Sequence, residues 1–159
     1  MPDIDFAFLA DAADTTPGQK FHVIGGGISR IGGPGFPLRH PHIALVVSLS
    51  VTVPEFGREH EVRIVVLGPD GAEVAPPAVA NIAFSGGDGH DTTITFAVDL
   101  WSLTFPVPGD YSFRVLVNGS ERKRLPLVLA RTEEGTGGGP VAAGSLPRPD
   151  PGTTRRFDA

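Results

Sequence analysis

The sequence predicts an all-β antiparallel β-sandwich, immunoglobulin-like or Greek-key, of about seven to nine strands. Three observations carry that expectation. Apolar residues alternate at period two in segment after segment up to residue 130, and Gly, Pro, Asn and Asp break the segments at short intervals. Helix-period patterning is scarce.

The elements follow in order. DFAFLAD (5–11) puts Phe6, Phe8 and Ala10 on one face, and KFHVI (20–24) is a second strand. HIALVVSLSVTV (42–53) is long and β-branched, with Ile43, Leu45, Val47, Leu49 and Val51 sharing a face. EVRIVVL (61–67) aligns Val62, Ile64 and Val66, and Gly68-Pro69-Asp70-Gly71 then makes a tight turn. NIAFS (81–85) is a weak strand, whereas TTITFAVDL (92–100) sends Ile94, Phe96, Val98 and Leu100 inward. DYSFRVLVNG (110–119) aligns Tyr111, Phe113, Val115 and Val117 and ends in Asn118-Gly119, a strong hairpin signal. RLPLVLA (124–130) closes the set, with Pro126 marking an edge position. DLWSL (99–103) and ADAAD (10–14) are the two modest helical candidates, and Trp101 is expected as a plug in the core or at its rim. Pro108-Gly109-Asp110-Tyr111 resembles the tyrosine corner of immunoglobulin-like domains, although position 113 holds Phe where antibody domains carry a cysteine.

Residues 1–130 therefore read as the sandwich domain. Residues 131–159 have no apolar period and are rich in Gly, Pro, Ser and Thr, so they read as a C-terminal tail, flexible or captured by a partner.

Composition narrows the function. The 159 residues include no cysteine, which removes disulfides, thiolate catalysis and Cys-ligated metals. A net charge of −5 with no basic stripe is unsuited to nucleic acid or anionic lipid. Arg122-Lys123-Arg124 reads as a solvated hairpin arm. No apolar run reaches the ~20 residues of a membrane helix. Asp3, Asp5 and Asp11 interrupt any secretory signal, so a cytoplasmic location is expected. The excess of Arg over Lys, with abundant Gly, Ala and Pro, suggests a GC-rich bacterial genome.

FHVIGGGISRIGG (21–33) invites a phosphate-loop reading. A phosphate cradle needs its glycines at a strand-to-helix junction, with backbone N–H groups turned toward the anion. Here Gly32, Gly33, Pro34, Gly35 and Pro37 would break any helix at once, and neither G-K-[ST] nor G-x-G-x-x-G is present. Gly25-Gly26-Gly27 reads as a bend or a close backbone approach.

FAFLADAAD, FHVIGGGISRI and PVPGDYSFRVLVNG, in that order over residues 5–130, resemble a family of small bacterial β-sandwich proteins of unknown function. The resemblance implies the fold and transfers no site.

Candidate sites are few. His40 and His42, at i and i+2, would share a face of an extended strand and offer two imidazoles to a metal; a third ligand would come from His22, His60, His90 or a carboxylate. Asp88, Asp91 and Asp99 lack the spacing of a calcium loop, and His90-Asp91 lacks a nucleophile elbow. Asp5, Asp11 and Asp14 form an acidic lip that would keep an edge soluble, with reception of a basic partner as the alternative. His40, His42, Arg58 and His60 would line one set of loops as ligand contacts, with Trp101 as a stacking platform. The sequence thus points to a noncatalytic sandwich with no cofactor, working through contact with a protein partner or as a homo-oligomer. The alternatives are a small-ligand or carbohydrate-binding module and a metal-assisted enzyme.

Overall fold

The computed structural model describes residues 1–16, 20–85 and 89–132. Alternating strands close two sheets over one apolar core. The strands are β1 (Asp3–Asp14), β2 (His22–Gly26), β3 (Arg30–Gly33), β4 (Leu38–Val51), β5 (Glu59–Leu67), β6 (Ala78–Ala83), β7 (Thr92–Phe105), β8 (Gly109–Val117) and β9 (Ser120–Arg131). They form a four-stranded sheet in the order β2-β1-β4-β7 and a five-stranded sheet in the order β3-β9-β8-β5-β6. Inward residues of β4, β5, β7, β8 and β9 fill the space between them, with Leu45, Phe105, Tyr111, Phe113 and Leu127 fully enclosed.

Most expected strands are present, and most are longer than alternation alone indicated. Both helical candidates are strand: 10–14 belongs to β1 and 99–103 to β7. β3 was not expected. It pairs in parallel with β9 over Arg30↔Val128 to Gly33↔Arg131, so Pro126 falls beyond its reach and has only Ser112 of β8 as strand neighbour. The Asn118-Gly119 hairpin forms with both residues at positive φ, 49° and 80°. The tyrosine corner closes too: Tyr111 Oη donates to the Val107 carbonyl at 2.6 Å. The expected tail lies outside the described residues from position 133 onward.

The β1–β2 hairpin explains a second buried surface. β1 pairs with β4 from Asp3↔Ser50 to Ala10↔Ala44, and beyond Ala10 its partner is β2. The hairpin lies over the outer face of the four-stranded sheet. The Phe21 ring is 5.9 Å from Phe6, and Thr15 Oγ1 accepts the Ala97 N–H at 3.0 Å. That cover accounts for the complete burial of Ala44, Val46 and Ser48, which alternate with the core residues of β4.

A 3-10 turn at Val53–Glu55 links β4 to β5 and carries a perturbed carboxylate. Burial by itself would raise the Glu55 pKa. The Met1 ammonium bonded to it and the N–H and hydroxyl of Thr52, at 2.8 and 2.9 Å, outweigh burial and hold the group at about 2 against 4.5. The folded value is depressed, so its stabilisation is complete above the unfolded pKa and is lost as pH falls from 4.5 toward 2. With solvent screening at the partly open ammonium, that stabilisation is about 1–2 kcal/mol. Glu55→Gln should lose it at neutral pH and flatten the stability profile across that acid range in urea titrations. Equal slopes for both proteins would refute the assignment.

Candidate functional site

Leu100-Trp101-Ser102-Leu103 poses a conflict for a strand. Leu100 packs on the core, and so do Leu103 and Phe105, yet strict alternation cannot put both 100 and 103 inward. The chain resolves it at Ser102, which takes a left-handed φ of 55°. Opposite lies Pro41, which has no N–H to lose from the ladder. Register continues across the gap, from His42↔Trp101 to His40↔Leu103, so both strands change phase together. The consequence is exposure: Trp101, read from sequence as a core or rim plug, is 68% solvent-accessible.

His42 supports it. Its ring centroid is 4.1 Å from the Trp101 ring at a 35° tilt. Nδ1 is 2.8 Å from the carbonyl of Asp11 in β1, and Nε2 is 2.7 Å from Asp99 Oδ1. Both partners are acceptors, so each bond is donated by whichever ring nitrogen carries the hydrogen. Beside them, Arg39 Nη2 donates to Ser102 Oγ at 2.9 Å. Arg39, Pro41, Trp101 and Ser102 line a shallow open depression of about 450 Å³.

The paired phase change also separates the two histidines expected to act together. His42 shares the outer face with Trp101, whereas His40 lies opposite Leu103 on the core face, so the i, i+2 argument fails at Pro41. Among the described residues no group of three or more His, Asp or Glu side chains is placed to hold a metal. Asp88 lies outside the described residues; Asp91 accepts the Val53 N–H at 2.9 Å, and Asp99 is engaged by His42.

Arg58 and His60 do not join His40 and His42 on one set of loops. They follow the far end of β4, and His42 to Val51 spans ~30 Å of extended chain. His60 is 4% exposed, its ring nitrogens 3.2 Å from the Glu55 carbonyl and 3.1 Å from Asn118 Nδ2, with its ring stacked on Phe84. It ties the turn after β4 to the β8–β9 hairpin. Arg58 is exposed near that turn.

Sequence reasoning missed a third feature, an open flank. β6 and β7 are the last strands of their sheets, and a hollow lined by Ala80 and Phe96 puts them on the same side of the sandwich. Ala78, Ala80 and Ile82 of β6 stand opposite Ile64, Val62 and His60, so two of the three inward positions on this edge carry only a methyl group. The sheets do not seal there. An apolar cleft of about 550 Å³ opens beside Ile82, Phe84, Ile94 and Phe96, and a smaller hollow of about 80 Å³ continues past Ala78, Ala80 and Val98. The signal was the weakness of the strand itself: AVANIA supplies too little volume to close a sandwich. Another hollow, about 540 Å³, lies between the Gly68–Val74 turn and Thr104–Val107; its Asp70 side chain accepts the Ala72 N–H as ordinary turn chemistry.

A family of unknown function, DUF6941, matches residues 5–130. The chain belongs to this family. The match spans the sandwich and stops short of the C-terminal segment, and it brings no assigned activity or site residue. No curated protein matches the chain. Among solved structures, the Pseudomonas fluorescens alkylpurine DNA glycosylase AlkC, bound to DNA containing an abasic site analog, is similar at 22% identity and a TM-score of 0.40; the match covers 64% of this chain and 28% of that one. A likeness that distant says nothing of the family's chemistry. Among the described residues no helix is long and apolar enough to cross a membrane.

Proposed function

We propose that the protein is a noncatalytic β-sandwich that docks an extended strand of a partner chain, or of a second copy, along the β6–β7 flank. One observation carries the reading: the β6 edge lacks the features by which sheets resist pairing. β6 (AVANIA) has no charge and no proline, and β7 (TTITFAVDLWSLTF) has a single Asp and no proline. The opposite edges are short and glycine-rich, HVIGG and RIGG. Thr15 occupies the Ala97 N–H on β7, which leaves β6 the freer template. Main-chain pairing would supply affinity, and the cleft beside Ile82, Phe84 and Phe96 would receive alternate side chains.

Ala80→Leu tests this directly. Leucine there should fill the hollow against Phe96 and Val98, leaving stability unchanged or raised by about 1 kcal/mol while abolishing association. Sedimentation velocity from low to high micromolar concentration, with pull-down from lysate, reads the outcome. A wild-type chain that stays monomeric and captures nothing would sink the proposal, as would association that Ala80→Leu leaves intact.

A further inference from the structure

We infer that the Trp101 cluster is a carbohydrate subsite, on the outer face of β4 and β7 and away from the β6 edge. Trp101 is the only tryptophan in the chain, and water is a costly place for it. The left-handed Ser102 beside it is a strained conformation for a residue other than glycine, of the kind that persists where the surrounding structure over-determines it. That conformation presents Trp101 and Ser102 outward together.

The groups at hand define the ligand. His42 backs the indole and leaves most of its surface open, which suits the C–H face of a pyranose ring. The Arg39 guanidinium, steadied by Ser102 Oγ, offers donors at one side. Asp99 offers acceptor capacity at the other, because half of its side-chain surface stays open while Oδ1 holds His42. One cation, one carboxylate and a flat apolar platform match a neutral ring edged with hydroxyls, which can donate to Asp99 and accept from Arg39. An anion would meet Asp99, and nucleic acid would also meet a net charge of −5. The open depression of about 450 Å³ suits successive units of an oligosaccharide lying along the surface.

A single tryptophan makes the test specific. Fluorescence of the full chain is followed during titration with cellohexaose, laminarihexaose, chitohexaose and maltohexaose up to about 10 mM, which covers the weak affinities of shallow sites. At least one should give a saturating change in emission. Arg39→Ala and Asp99→Asn should each weaken it about tenfold, the effect of losing one good hydrogen bond to a charged group. Arg122→Ala, on β9 of the other sheet, should leave it unchanged. Flat emission with all four sugars overturns the inference, and so does a response that Arg39→Ala and Asp99→Asn do not alter. Neither result bears on the flank, because β6 contributes nothing to this cluster.

Discussion

Phe113→Ala is expected to cost about 4 kcal/mol of folding free energy, the usual loss when a buried phenyl leaves a cavity. Phe113 is fully enclosed at the middle of β8, an inner strand of the five-stranded sheet, between Val66 of β5 and Leu125 of β9. Its neighbours cannot collapse into the space, because both flanking strands are fixed by register on either side. Against a typical total of about 5–15 kcal/mol, the change takes a large share of stability. For a domain of this size it should lower the melting temperature by roughly 8–16 °C. Urea unfolding followed by far-UV circular dichroism reads it, with an unchanged slope showing that the loss is in the folded core. A loss below about 1 kcal/mol would mean that Phe113 is not packed between the sheets as described.

The same residue shows why so much of the fold is legible. Tyr111, Phe113, Val115 and Val117 alternate without interruption; Val66, Ile64 and Val62 of β5 alternate in step, as do Leu127 and Leu125 of β9 before its register shifts after Val115, so local pattern and long-range pairing largely agree. Legibility fails where they disagree. RIGG has too few side chains to show a period and becomes β3 through parallel pairing with β9, which nothing local encodes. Leu100 and Leu103 lie three apart, a spacing that reads as helical; the strand absorbs it through a serine in a conformation associated with glycine. That one phase change moved Trp101 from expected plug to exposed platform and parted His40 from His42. His60 was ambiguous for another reason. Its partners, the Glu55 carbonyl and Asn118, come together only when the turn after β4 meets the β8–β9 hairpin. The open flank was written in the small residues of AVANIA, but an absence of volume becomes visible only when both sheets are in place.

Gly25→Val is the substitution that separates the two readings of the glycine triplet, and it should cost about 2–4 kcal/mol. Gly25 has φ 61° and Gly27 φ 86°, where a side chain is strained whatever the space, by roughly 1–2 kcal/mol per residue and more for a β-branched one. Space is also missing: a Cβ on Gly25 would lie 2.6 Å from Asp11 Cγ. The exposed Asp11 carboxylate can turn aside, so the left-handed backbone carries most of the cost, at a point where the Gly27 and Ile28 N–H groups are anchored on the Leu9 carbonyl at 2.8 and 3.0 Å. Relief of that strain would loosen the β1–β2 hairpin on the outer face and begin to uncover Ala44 and Val46. Thermal unfolding should show the loss directly. A dye that reports exposed apolar surface should bind the variant more than the wild type at temperatures where both remain folded. A phosphate-binding loop would lose affinity for a nucleotide as well, which the bend reading does not require. If Gly25→Val melts with the wild type, the triplet is not the bend that holds the hairpin in place.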